Sequence, residues 1–201
     1  MYFFVYCRDR GESGPKRKAL LKEHWTFMSQ YADRMIARGP TLSEDGKVMT
    51  GSMHILDLPD IDAASAFAFE DPFAKGGVFE HIMVRRFENV FDRTMWEFTG
   101  HPAGQRFLLI AEANESAPPP GHDIMAAQRD YFTKRAKQII LFGPLFETDN
   151  DSWCGTALML EASDRAAAGL SLLRDPVVPF YISSDLRRWR FGGEENLKDM
   201  V

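Results

Sequence analysis

A single histidine, His24, lies within an apolar helical pattern and could carry acid–base chemistry. Apolar residues recur around it at helical spacing, at Leu21, Met28 and Met35. An imidazole gains and loses its proton near neutral pH, which suits a general acid or base. The alternative is a core histidine that hydrogen-bonds to backbone, and the residue by itself does not decide between the two.

An internal repeat allows the two alternatives to be compared. Three short motifs recur 104 residues later without a net insertion or deletion: Gly39-Pro40 as Gly143-Pro144, Gly51 as Gly155, and Asp71-Pro72 as Asp175-Pro176. At the position of His24 the second copy has Gln128, whereas Met28 becomes the apolar Phe132. A packing position is expected to stay apolar or to stay histidine. The change to glutamine therefore favours a chemical role for His24 in the first copy.

Two aspartates are candidate partners of this histidine. Asp9 becomes Ala113 in the second copy, so it is lost together with His24. Asp71 persists as Asp175, and an Asp-Pro turn that ends a helix is reason enough to keep it, so the residues alone favour a structural role for Asp71. Side chains tilt toward the start of a helix, so His24 is expected to lean toward the sheet end where both aspartates lie.

Three further residues are candidates for substrate binding. Arg17 and Arg85 could hold a carboxylate, the group that a guanidinium binds in a bidentate manner, and Ser52 could hydrogen-bond to a ligand. The structural alternative, which the residue types favour, is that both arginines are solvated charges at the ends of helices or strands. Thr156 at the place of Ser52 likewise favours ordinary strand chemistry.

Metal and cofactor motifs are not found in the sequence. His54 and His81 form no HxH or HExxH spacing, and Cys7 and Cys154 form no CxxC motif, so both thiols are predicted to be unreactive and buried. The sequence also has no glycine-rich phosphate loop, nucleophile elbow or dinucleotide fingerprint. We therefore predict no metal and no cofactor.

Composition excludes several classes of protein. Of 201 residues, 45% are apolar and 26% are charged, and the net charge of -5 argues against a general nucleic-acid binder. No apolar run approaches the length of a membrane helix, and the N-terminus lacks the pattern of a signal peptide. These features predict a cytoplasmic protein whose partner is a small molecule, with no nucleic acid or membrane.

The pattern of apolar residues and turn signals predicts the same order of elements in each copy. For the first copy we predict strand 2–7, a helix from Pro15 to Arg38 that Gly39-Pro40 ends, strands 41–42 and 48–58, helix 61–70 with Asp60 as its N-cap, a loop at 73–77, and strand 78–87. For the second copy we predict strand 107–111, helix 124–142, a hairpin around Asp149-Asn150, helix 164–174 and strand 181–191.

This order is βαββαβ in both copies. Both helices of such a unit cover one face of an antiparallel sheet, and the opposite face, also apolar here, needs cover of its own. We therefore predict an α+β fold in which two ferredoxin-like repeats pack sheet to sheet as an intramolecular dimeric α+β barrel. The predicted divisions are a site-bearing domain at 1–92, a linker at 93–105, a diverged domain at 106–193 and a tail at 194–201. A homodimer is a further possibility.

A series of short motifs follows in order along the first copy: Asp9 after the opening strand, Arg17 and His24 on the first helix, Ala37-Arg-Gly-Pro40, Thr50-Gly-Ser52, Asp71-Pro72-Phe73, Val78-Phe-Glu-His81, Arg85-Arg-Phe87 and Phe91. Through these motifs residues 1–91 resemble the YciI-like (YCII-related) family. The resemblance implies a ferredoxin-like fold that pairs into a dimeric barrel, similar to muconolactone isomerase. It also implies an active site built from His24 and Asp71, with Asp9 nearby.

Three hypotheses for function follow. The first is an enzyme of isomerase, lyase or hydrolase type that acts on a small organic acid or lactone, with His24 as general acid–base and an aspartate that fixes its tautomer. The second is a non-catalytic binder of a small metabolite, and the third is an accessory protein without a ligand.

Overall fold

A computed structural model describes residues 1–101 and 104–192. The chain divides into two compact units, one of Met1–Arg86 with the described residues from Arg190 onward, and one of Phe87–Trp189. The predicted tail at 194–201, together with positions 102, 103 and 193, lies outside the described residues. None of the helices in the described ranges is long and apolar enough to cross a membrane.

The first unit has the predicted βαββαβ order. Its elements are β1 (Tyr2–Asp9), α1 (Gly14–Ala19), α2 (Leu21–Ser29), a 3-10 turn (Ala32–Arg34), β2 (Met35–Leu42), β3 (Met49–Asp57), α3 (Ile61–Glu70), α4 (Pro72–Lys75) and β4 (Phe79–Phe87). The strands pair antiparallel in the order β4-β1-β3-β2. In the second half of this unit, residues 73–75 of the predicted loop at 73–77 belong to the short helix α4.

The second unit repeats this order. Its elements are a 3-10 turn (Met95–Glu97), β5 (Gln105–Ala113), α5 (His122–Thr133), β6 (Ile139–Phe146), β7 (Trp153–Ala162), α6 (Arg165–Leu173), a 3-10 turn (Val178–Phe180) and β8 (Tyr181–Trp189). Here β5 pairs antiparallel with β7 and β8, and β7 also pairs with β6.

The helices α3 and α6 begin at corresponding N-caps. The carboxylate of Asp60 accepts a hydrogen bond from the backbone N–H of Ala63 at 2.8 Å, as predicted. Asp164 makes the same bond to Ala167, also at 2.8 Å. Each carboxylate satisfies a backbone donor that the first turn of a helix leaves free.

The predicted ends of the first helix in each unit are wrong. The helical segment α2 ends at Ser29 and α5 ends at Thr133, whereas Gly39-Pro40 and Gly143-Pro144 lie inside strands β2 and β6. Met35, which continued the helical spacing in the sequence, begins β2 and packs in the same apolar cluster as Met28 of α2.

Each Gly-Pro pair lies where another backbone segment approaches closely, and neither pair ends a helix. A Cβ atom at Gly143 would collide with the carbonyl oxygen of Glu88, whose N–H donates to the carbonyl of Pro144 at 3.2 Å. In the first unit Arg190 N–H donates to the carbonyl of Pro40 at 3.3 Å. A strand glycine commonly marks such an approach by another backbone segment.

The repeated glycine of β3 and β7 has a similar cause. A Cβ atom at Gly51 would collide with the carbonyl oxygen of Cys7, and one at Gly155 would collide with that of Ala111. Gly155 also has φ of 151°, which side chains rarely adopt. Both units therefore need glycine where the third strand passes the first.

The helix-facing side of the first sheet holds both the core and the candidate site. Alternate residues of β1, namely Phe3, Val5 and Cys7, pack in one apolar cluster with Leu56 of β3. Because side chains alternate along a strand, Asp9 and Ser52 extend this same face toward the sheet end. The fold thus places polar groups at the edge of an apolar core.

Candidate active site

His24 and Asp71 form a buried pair. Nδ1 of His24 lies 2.8 Å from Oδ1 of Asp71, and the two residues are 8% and 3% exposed. An ionised carboxylate only accepts hydrogen bonds, so the proton of a neutral His24 ring is held on Nδ1. Within residues 1–101 and 104–192, Nε2 of His24 makes no hydrogen bond. Its lone pair is therefore the available basic group of the site.

The Asp71-Pro72-Phe73 turn positions this pair from both sides. Oδ1 of Asp71 also accepts the backbone N–H of Phe73 at 2.9 Å, which makes Asp71 the N-cap of α4. The ring of Phe73 stacks on the imidazole of His24 with centroids 3.9 Å apart and an interplanar angle of 8°. Asp71 therefore has the structural role that its persistence in the repeat indicated, and it contacts the histidine as well.

A second buried pair joins Arg17 to Asp9. Nε and Nη2 of Arg17 donate to the two carboxylate oxygens at 2.6 and 2.7 Å, and Oγ of Ser13 donates to Oδ2 at 3.1 Å. Nη2 of Arg17 also donates to Oγ of Ser52 at 3.0 Å. The interpretation of Arg17 as a solvated charge is wrong, because the residue is only 9% exposed and bound in a bidentate manner.

The two pairs meet at one aromatic ring. The guanidinium carbon of Arg17 lies 4.9 Å from the centroid of Phe73, on which His24 stacks at 3.9 Å. The guanidinium group and the imidazole ring are therefore both neighbours of the same phenylalanine side chain. Among the described residues Nη1 of Arg17 has no hydrogen-bond partner. A cationic donor and a basic nitrogen are thus both left available within one small region.

Cys7 lies on the same face and stays a thiol. It pairs in register with Ser52 and is 3% exposed. Burial raises the pKa of this thiol, and the negative charge of Asp71 raises it further. The group is therefore no thiolate nucleophile at neutral pH, which agrees with the unreactive thiol predicted from the sequence.

Arg85 is the predicted site residue that the structure does not bring to this cluster. It pairs in register with Phe4, whose neighbours Phe3 and Val5 point to the helix-facing core. Arg85 therefore faces the opposite side of the sheet, where its Nη1 donates to the carbonyl of Val84 at 3.1 Å. The direction follows from strand alternation.

Sequence reasoning missed the contributions of Ser13 and Phe73. Ser13 binds the carboxylate of Asp9, and it precedes Arg17 by four residues at the start of α1. Phe73 supplies the ring on which His24 stacks. The Asp71-Pro72-Phe73 motif was the available signal for the phenylalanine, although nothing in it indicates stacking.

In the second unit the corresponding positions form a closed hydrogen-bond network. Nε2 of Gln128 donates to Oδ2 of Asp175 at 2.8 Å, and it lies 2.9 Å from the hydroxyl of Tyr181. That hydroxyl lies 2.8 Å from Oγ1 of Thr156 and 3.0 Å from Asp175. Tyr181 stands where the first unit has Gly77. A tyrosine side chain thus contacts the residues that correspond to the His24 site.

The described part of the chain contains no group of three or more His, Cys, Asp or Glu side chains arranged to hold a metal ion.

Comparison with known proteins decides the family. The model of the YCII-related domain matches residues 1–88. Protein YciI of Escherichia coli is 31% identical over 98 residues, which are 45% of this chain and the full length of that relative. The chain belongs to the YCII-related family. The matched region of this YCII-related protein is the one that contains His24, Asp71, Asp9, Arg17 and Ser52.

Solved structures extend the comparison. The sequence is 32% identical to 5-chloro-2-hydroxyhydroquinone dehydrochlorinase from Burkholderia phenoliruptrix, with a TM-score of 0.41. The match covers 44% of this chain and 94% of the dehydrochlorinase chain. The YCII-related protein is also similar to a mutant chlorite dismutase from Candidatus Nitrospira defluvii, with a TM-score of 0.61 and 8% sequence identity. The match covers 98% of the YCII-related protein and 94% of the dismutase chain. This likeness shows the fold, and it confirms the predicted α+β fold of the dimeric-barrel type.

Proposed function

We propose that this protein is an enzyme in which His24 moves a proton on a small organic acid or lactone. The observation that supports this proposal is the 2.8 Å bond from Nδ1 of His24 to Asp71, which leaves the Nε2 lone pair as the available base. Asp71 holds the tautomer and stabilises the imidazolium that forms when Nε2 takes a proton. Stacking on Phe73 holds the ring plane.

The chemistry consists of one proton transfer followed by one of three outcomes. Nε2 of His24 removes a proton from the carbon next to a carbonyl group, and the electron pair moves onto the carbonyl oxygen as an enolate. Return of the proton at another carbon gives an isomerase. Expulsion of a leaving group from the neighbouring carbon gives a lyase. In a hydrolase Nε2 instead takes a proton from water, the hydroxide attacks the carbonyl carbon of a lactone, and the ring C–O bond breaks as the alkoxide takes the proton back from His24.

Arg17 would bind the acidic group of the substrate. Its Nη1 is the part of the guanidinium that Asp9 and Ser52 leave available, and a carboxylate is the partner that guanidinium favours. Asp9 is then a positioning residue rather than a proton carrier, because Arg17 and Ser13 occupy both of its oxygens. One such site per chain is expected, since the amide of Gln128 cannot accept a proton at neutral pH.

Proton exchange in D2O tests the proposal without knowledge of the natural substrate. The wild-type protein is incubated with pyruvate, 2-oxoglutarate and α-angelica lactone, and the loss of proton signals next to the carbonyl is followed by NMR. We expect His24→Gln to lower the exchange of an accepted compound by about 10²-fold or more. His122→Gln is the matched control, because the side chain of His122 is 97% exposed.

Three results would oppose the proposal. Exchange that His24→Gln leaves unchanged would exclude His24 as the base. Thermal stabilisation by a compound that never exchanges would favour the metabolite-binding hypothesis, since a ligand at 100 times its dissociation constant stabilises by about 2.7 kcal/mol. Neither exchange nor stabilisation by any compound of the panel would favour the accessory protein.

A further inference from the structure

A second imidazole, that of His54, is buried close to the His24 site and has no role in the chemistry described so far. His54 lies on β3 two residues after Ser52, so both side chains share the helix-facing side of the sheet. It is 6% exposed and pairs in register with Val5 of β1 and Arg38 of β2.

The immediate surroundings of the ring are apolar on one side. The ring of Phe67 meets it edge to face, with centroids 5.3 Å apart and an interplanar angle of 74°. Nδ1 of His54 is fully buried and has no hydrogen-bond partner among the residues that the structure describes. A buried polar atom without a partner is uncommon in a folded protein and calls for an explanation.

His54 stays neutral at physiological pH. Burial lowers its pKa to about 3, and the positive charges of Arg38, of Arg17 and of His24 in its protonated form lower it further. Of these three groups, His24 has the largest effect when it is protonated, and both His24 and Arg17 belong to the candidate site. A neutral imidazole carries one N–H group and one lone pair.

The burial of Nδ1 decides which nitrogen carries the proton. A buried N–H without a partner is rarer in proteins than an acceptor with a free lone pair. The proton is therefore expected on Nε2, and the lone pair on Nδ1. In this tautomer Nε2–H can donate a hydrogen bond, and no residue in the described ranges accepts it.

We propose that His54 is a hydrogen-bond donor of the His24 site, and that its Nε2–H binds the carbonyl oxygen of the substrate on which His24 acts. This inference rests on the function proposed above. When His24 removes a proton, negative charge develops on that oxygen, and a fixed neutral donor stabilises it without transferring its own proton. The substrate class narrows accordingly to compounds whose acidic C–H adjoins a carbonyl group within reach of both rings.

Two substitutions separate this role from a packing role. His54→Leu removes the donor, whereas the amide nitrogen of His54→Gln lies near the position of Nε2. The test uses a compound of the panel whose protons the wild type exchanges in D2O. We expect His54→Leu to lower kcat/KM for this exchange by about 10²-fold to 10³-fold, with the loss in kcat rather than in KM. We expect His54→Gln to stay within about tenfold of the wild type. Equal activity in all three proteins would overturn the inference, even where His54→Leu changes stability.

The tautomer can be measured without any turnover. NMR of protein labelled with [15N]histidine is expected to show the proton of His54 on Nε2, and a shift of that nitrogen when a panel compound shifts the resonances of His24. A proton on Nδ1 would overturn the inference, as would a compound that shifts His24 alone. If no compound exchanges, the proposed proton transfer fails, and this measurement still decides whether His54 is an available donor.

Discussion

Gln128 lies 2.8 Å from a carboxylate oxygen of Asp175, the same separation that joins His24 to Asp71 in the first unit. The hydrogen bond to the aspartate is therefore retained, while the proton acceptor is lost. An amide donates and accepts hydrogen bonds but does not take up a proton at neutral pH. The second unit is consequently an internal reference for what the His24 site needs to fold, as opposed to what it needs to react.

Asp71→Asn is expected to slow proton transfer strongly while the fold is retained. An asparagine can still accept the N–H of Phe73, but its amide is a neutral partner that no longer stabilises an imidazolium at His24. We expect the exchange rate in D2O to fall by about 10²-fold or more. Asp175→Asn, at the corresponding position, serves as the control and should leave the exchange rate unchanged. A fall of the same size in both variants would contradict a specific role for Asp71.

Arg17→Lys is expected to destabilise the protein strongly. A lysine keeps the positive charge but cannot reproduce the two bonds to Asp9 together with the bond to Ser52, and each buried group that loses its hydrogen-bond partner costs about 1–3 kcal/mol. Arg8→Lys is the matched control, because Arg8 forms its pair with Glu80 at the surface at 2.7 Å and should lose at most about 1 kcal/mol.

Urea unfolding measures both free energies. Combining Arg17→Lys with Asp9→Asn completes a double-mutant cycle, in which a coupling energy near zero would show that the pair contributes nothing.

Tyr181→Phe is expected to lower the free energy of unfolding by about 1–3 kcal/mol. The hydroxyl of Tyr181 bonds to Thr156, Asp175 and Gln128, so its loss removes these hydrogen bonds from a buried polar network. Tyr2→Phe is the control, since no hydrogen bond of the Tyr2 hydroxyl occurs within the described ranges, and its effect should stay within about 0.5 kcal/mol. Neither change should alter exchange at the His24 site, and altered exchange in Tyr181→Phe alone would show that the second unit contributes to activity.

His54→Leu is expected to reduce the decrease in the free energy of unfolding that occurs as the pH falls. The pKa of His54 falls from the ordinary value of 6.5 to about 3 on folding, so the unfolded chain binds the proton more tightly. The resulting stability is complete above the unfolded pKa and is lost as the pH falls from 6.5 toward about 3, by at most about 1.4 kcal/mol per pH unit.

Urea unfolding of the wild type and His54→Leu at about pH 7.5 and about pH 4.5 measures this difference. Burial raises the pKa of Asp175, which gives a slope of opposite sign, but that slope is common to both proteins and cancels in their difference. The exposed His122→Gln should keep the slope of the wild type. Parallel pH profiles for the wild type and His54→Leu would show that His54 is not held neutral by the fold.

The local signals in the chain were sufficient for much of the architecture. The cap at Asp60 and the turn at Asp71-Pro72 are each encoded within a few neighbouring residues, and both were predicted. The helix-strand boundary before Gly39-Pro40 was not, because the same glycine and proline suit a helix end and a strand that another backbone segment approaches. Only the position of that second segment, which is distant in the sequence, separates the two cases.

The candidate site was likewise predicted in part from the sequence and decided in part by the tertiary structure. The sequence by itself determined that one repeat keeps His24 and the other does not, and its family resemblance indicated Asp71 as the partner. The tertiary structure decided that Arg17 is buried on Asp9, that Arg85 faces away, and that His54 approaches the site. Burial and charge pairing depend on contacts between residues far apart in the chain, which no local spacing of residue types can specify.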